Sequence, residues 1–121
     1  EVRNPAWVDR SWFSLLADSA LVPVILSGYW MERFIPTVQG ALETGFEKLC
    51  IRLHGEDRGA IEAASGGNWS SIIESKDDEI GALAALLRGR DEEIYVNVYN
   101  HYEGSAPLTI AKIQRLLEEK Q

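Results

Sequence analysis

The sequence has a single cysteine, Cys50, so no internal disulfide can staple the chain. That usage fits a reducing compartment, and a cytoplasmic location is expected. Clusters of positive charge are also missing: 12 Lys and Arg stand against 19 Asp and Glu, a net charge of -7, with no basic run longer than two residues. Nucleic acid and anionic membranes both reward clustered Lys and Arg, so neither is expected as a partner. The longest apolar run, Ala20 to Leu26, contains Pro23 and falls far short of the roughly 20 residues that span a bilayer. No signal peptide is visible. Walker-type phosphate loops, dinucleotide fingerprints and serine elbows do not occur, and no cofactor is expected.

What remains is a chain of 121 residues, 45% hydrophobic and 26% charged, enough for one domain with a modest core. Its periodicity alternates strands with helices. Glu1 to Asn4 reads as the end of a strand stopped by Pro5. A helix over Asp9 to Asp18 follows, with Trp12, Leu15 and Leu16 on one face. Leu21 to Leu26 suits a buried strand. A helix from about Glu32 to Glu43 closes at Gly45, and Phe46 to His54 is the next strand. Gly55 to Ser75 is irregular, with Trp69 as a loop anchor or a flap over the strand ends. Lys76 to Arg88 is a helix buried through Ile80, Leu83, Ala84 and Leu87. Glu93 to Tyr99 is a strand, and Pro107 opens a last helix with Ile110, Ile113, Leu116 and Leu117 on one side.

This alternation without hairpin signals predicts an α/β fold of parallel βα units joined by right-handed crossovers. A complete eight-unit barrel needs about 250 residues, and four units occupy this chain, which begins at the end of a strand without an initiating Met. The expectation is therefore the C-terminal half of a TIM (β/α)8 barrel, with a free-standing doubly wound sheet as the alternative. Half a barrel leaves sheet edges unpaired, so a homo-oligomer or the remainder of the barrel is expected as partner.

Strand parity locates a candidate site. Leu49, Ile51 and Leu53 belong under helices, which turns Cys50, Arg52 and His54 to the other face. Cys50, between Leu49 and Ile51, is expected to be a core thiol. Ile94, Val96 and Val98 likewise oppose Tyr95, Asn97 and Tyr99, and Val2 separates Glu1 from Arg3. Unpaired burial of such charges costs several kcal/mol each, so they either pair with one another or face a wet pocket at the C-terminal strand ends, where barrel enzymes keep their sites. Gly104-Ser105-Ala106-Pro107 leads into a helix N-terminus that suits an anion, unless Ser105 only caps that helix. His54 and His101 with Glu1 or Glu103 lack metal-binding spacing, and no metal is expected.

The stretches "EVRNPAW", "IRLHG" and "NHYEGSAP", with a Trp some fifteen residues after the second, resemble in order and spacing the C-terminal half of the YecE-like family, also called domain of unknown function 72. The resemblance covers essentially the whole chain. It implies a TIM barrel with a pocket and no particular reaction. Its motif residues fall on Glu1, Arg3, Pro5, Trp7, Arg52, His54, Gly55, Asn100, His101, Glu103, Gly104, Ala106 and Pro107. One position departs from the family pattern: Tyr99 stands where the first of two Asn is usual.

Two functions follow as expectations. In the first, a small anionic ligand is held by Arg3 and Arg52, His54 or His101 is the acid or base, Glu1 or Glu103 orients it, and Tyr99, Asn100 and Ser105 line the site. In the second, the protein binds or scaffolds without catalysis, and the same polar layer is structural.

Overall fold

The computed structural model describes residues 1–119. Three strands, β1 (Val24–Gly28), β2 (Lys48–Gly55) and β3 (Glu93–Val98), form one parallel sheet in the order β1-β2-β3. The helices are α1 (Arg10–Asp18), α2 (Phe34–Thr44), α3 (Arg58–Ser65), α4 (Asp77–Leu87), α5 (Asn100–Glu103) and α6 (Ala106–Glu118). The fold is thus α/β with parallel βα units. Among the described residues no helix is long and apolar enough to cross a membrane.

The parity of β2 holds from Leu49 to Leu53. Leu49, Ile51 and Leu53 are at most 1% exposed and pack with Val38, Ala41, Leu42, Ile80, Leu83, Leu87 and Ile113. On the other face Tyr95 is 53% exposed and Asn97 is open. Cys50 is half-buried on that face, not a core thiol, because in register it sits beside Tyr95 rather than under a helix. In α4 the four expected residues, Ile80, Leu83, Ala84 and Leu87, are all buried.

Four expectations are corrected. Residues 1–4 form no strand: the side chain of Asn4 accepts from Ala6 N at 3.0 Å and its carbonyl from Trp7 N at 3.0 Å. A short 3-10 turn, Pro5–Trp7, is therefore satisfied locally, and the sheet has three strands instead of four. Helix α1 starts where Asp9 accepts from Trp12 N at 3.0 Å, but it buries Phe13 and leaves Leu15 63% exposed. Strand β1 begins only at Val24, with Leu21 and Val22 exposed. In α6 Thr109 and Ile113 are buried, while Ile110 and Leu117 lie outside, because Thr109 must reach the carboxylate of Glu103.

The irregular stretch after β2 contains helix α3. Asp57 caps it by accepting from Ala60 N at 2.9 Å, and Gly66 ends it at φ +61°. Asp supplies the side-chain acceptor a first turn lacks, and a left-handed C-terminal residue favours glycine.

Candidate functional site

The C-terminal ends of the strands converge on His54. Ser27 of β1 pairs with Leu53, but the next residue, Gly28, pairs with Gly55. His54 is thus the extra residue of a β-bulge, a device that re-aims a side chain at the end of a sheet. Backbones close in around it: a β-carbon on Gly28 would stand 2.3 Å from Gly55 O, and one on Gly55, at φ +91°, only 2.4 Å from His101 O. Neither position has room for a side chain.

Six side chains close a ring at this end. Tyr29 Oη lies 2.9 Å from His54 Nε2, and the two rings are 4.3 Å apart. On the other side of His54, Tyr99 stands at 4.4 Å. Arg52 donates to Tyr99 Oη from Nε at 3.1 Å and from Nη2 at 2.6 Å, and its Nη1 pairs with Glu1. Glu1 accepts in turn from Arg3 Nε at 2.9 Å, and the Arg3 guanidinium lies over the Tyr29 ring at 4.4 Å. Although no strand carries them, Glu1 and Arg3 still reach the position that parity gives them. Tyr29, which sequence reasoning missed, is placed by a left-handed backbone at φ 52°, followed by Trp30 at φ 58°. Non-glycine residues seldom adopt this conformation, and such strain gathers at functional sites. Its one sequence signal is that it directly follows a strand end.

Proton affinities in the ring diverge. Burial, reinforced by the positive charges of Arg52 and Arg3, holds His54 below the ordinary imidazole value, so it stays neutral at neutral pH. Burial alone pushes Glu1 up, but the hydrogen bonds of Arg52 and Arg3 outweigh it and keep the carboxyl low. Arg52 is raised first by its bond to Glu1. With both arginines charged and one carboxylate ionised, the ring carries net positive charge.

The other candidates are not members of this ring. His101 Nε2 is 2.9 Å from Glu62 Oε1 on α3, with Trp69 packed on the imidazole at 4.9 Å. The structure brings neither Glu1 nor Glu103 to His101. Glu103 is 0% exposed and serves as a junction: it accepts from Thr109 Oγ1 at 2.5 Å, Lys76 N at 2.9 Å and Lys112 Nζ at 2.8 Å. Asn100 accepts from Ala106 N at 2.8 Å and so caps α6, a task Ser105 does not perform with its own side chain. Ser105 is 2% exposed, and the neighbouring carboxylate of Glu103 already holds Thr109 in the first turn of α6.

Below these residues, Ser27 Oγ donates to Glu79 at 2.9 Å and Tyr102 donates to the same carboxylate. Burial first, then Glu79, pushes the Tyr102 phenol far up. A cleft of about 380 Å³ adjoins them, between Gly28, Gly55, Glu56 and the first turn of α4. A wider groove of about 920 Å³ lies between α1 and α2, on the helical side. Among the described residues no group of three His, Cys, Asp or Glu is arranged to hold a metal ion.

The family described as "Protein of unknown function DUF72" matches residues 1–121. No curated protein and no solved structure matches the chain. With a match that runs over the whole sequence, the chain belongs to the DUF72 family, the same one that its "IRLHG" and "NHYEGSAP" motifs resemble.

Proposed function

We propose that this protein binds a small anionic ligand, a phosphate or carboxylate, over the ring at the C-terminal ends of its strands. Arg3 and Arg52 hold the anion, and Tyr99 lines the site. His54, neutral and fixed between Tyr29 and Tyr99, acts as acid or base toward the ligand, with Glu1 orienting Arg52. The observation that carries this reading is the bulge that thrusts His54 between two tyrosines beside two arginines. Ligands of parallel α/β sheets bind outside the carboxyl ends of the strands.

We further propose that the sheet is the C-terminal half of a TIM barrel. Three features support this: parallel strands in chain order, a helix-covered face, and an opposite face that leaves Tyr95 and Asn97 open. A doubly wound sheet would bury both faces. The chain on its own is then expected to associate through its open face and edges, and a monodisperse monomer in light scattering at micromolar concentration would count against that.

A structural role for the ring is the second reading, favoured by one fact: its charged groups already pair with one another. Calorimetric titration of inorganic phosphate and small carboxylates into wild type and Arg52→Ala separates the two. Binding that disappears with Arg52 supports the site. No binding by either protein, with Arg52→Ala strongly destabilised, supports the structural layer.

A further inference from the structure

Helix α3 brings to this end of the molecule a carboxylate that neither strand parity nor the family motif points to. Glu62 Oε1 lies 2.9 Å from His101 Nε2 and 3.2 Å from Arg58 Nε. The His101 bond first, and Arg58 second, hold the Glu62 carboxyl below its ordinary range, so it is ionised at neutral pH. An ionised carboxylate only accepts, which requires the hydrogen on Nε2. The opposite nitrogen, Nδ1, has no hydrogen bond within the described chain. Among the described residues no buried side-chain nitrogen or oxygen lacks a partner, so Nδ1 is not sealed from solvent.

Two further contacts fix the ring. Trp69 packs on it at 4.9 Å with 53° between the planes. The His101 backbone is pressed against Gly55, the residue that follows His54.

We propose that Glu62 is a positioning residue, which holds His101 with its hydrogen on Nε2 and leaves Nδ1 as a free proton acceptor beside the anion site. This rests on the binding site proposed above. In the step it serves, a bound hydroxyl or water loses its O–H proton to Nδ1, an N–H bond forms there, and the electron pair stays on the ligand oxygen. The positive charge that appears on the imidazole is met by Glu62, as carboxylates do for catalytic and metal-binding histidines elsewhere.

Long-range proton–nitrogen NMR on the whole protein near about pH 8, above the ordinary imidazole range, tests this without any ligand. The expected wild-type spectrum has His101 in one tautomer, with an observable Nε2 proton and an unprotonated Nδ1. Glu62→Ala should lose that proton signal to solvent exchange, and Glu62→Gln, whose amide oxygen still accepts, should keep it. Both variants should melt within a few degrees of wild type, because the Glu62 side chain is 51% exposed. A hydrogen on Nδ1 in the wild type, or a signal unchanged in Glu62→Ala, overturns the assignment. Inorganic phosphate added to the same samples separates the two claims: if no His54 or Tyr99 resonance moves, the binding site fails while the tautomer result stands.

Discussion

Replacing Glu103 with alanine removes three hydrogen bonds from a place water does not reach. The carboxylate is 0% exposed and joins the start of α4, the body of α6 and the end of α5 through Lys76 N, Lys112 and Thr109. Truncation strands the Lys76 amide, at about 1–3 kcal/mol for an unsatisfied group, and leaves the Thr109 hydroxyl only its weaker bond to Ser105 O at 3.1 Å. Lys112 loses less, because its side chain is 22% exposed and keeps Asp77 at 2.9 Å. Lost packing around the buried side chain adds to this, and the loss expected is about 2–4 kcal/mol. At several degrees per kcal/mol for a domain of this size, the melting temperature should fall by about 10–20 °C. Urea unfolding followed by circular dichroism reads the same quantity as a shift in midpoint at constant slope. Glu103→Gln should fall between, since it keeps an acceptor for Thr109 but turns a donor or a neutral oxygen toward Lys76 N and Lys112. A loss for Glu103→Ala below about 1 kcal/mol would refute the reasoning, because no buried junction could then depend on that carboxylate.

Phe13→Ala should cost about 3–5 kcal/mol, whereas Leu15→Ala, two residues away and 63% exposed, should stay within about 0.5 kcal/mol; equal losses would mean that α1 is rotated from the position described. Stability should also fall as pH drops below about 6.5. His54 takes up its proton less readily folded than unfolded, so through the ordinary imidazole range the unfolded chain binds more protons, and stability is complete only above that range. Urea midpoints at several pH values check this, and His54→Gln should flatten the slope; identical slopes in both proteins would count against a desolvated His54.

How much of this the sequence discloses depends on the range of the forces involved. Helix α4 is legible because its burial repeats with helical period, and β2 because alternation separates Leu49, Ile51 and Leu53 from Cys50 and Arg52. Helix α3 hides among glycines that dominate the local pattern, although Asp57 three residues before Ala60 carries its cap signal. The face of α1 is misread because Leu15 and Leu16 fit the helical period as well as Phe13 does, and only tertiary packing selects Phe13. At the site, parity brings Glu1, Arg3, Arg52, His54 and Tyr99 to one face, and the structure joins those five in one ring. Tyr29 and Glu62 complete the local chemistry through a left-handed turn and a loop helix, neither of which leaves a periodic trace. Glu103 shows the converse, a motif residue with chemistry in its side chain whose partners are the starts and flanks of helices.

Calorimetric titration of inorganic phosphate into wild type and Arg52→Ala, at matched salt, tests the central claim most directly. Arg52 offers charge-assisted hydrogen bonds worth about 1.5–3 kcal/mol, so its loss should weaken binding roughly 10- to 150-fold. Phosphate that binds both proteins with the same affinity would place the anion elsewhere and leave the ring as part of the fold alone.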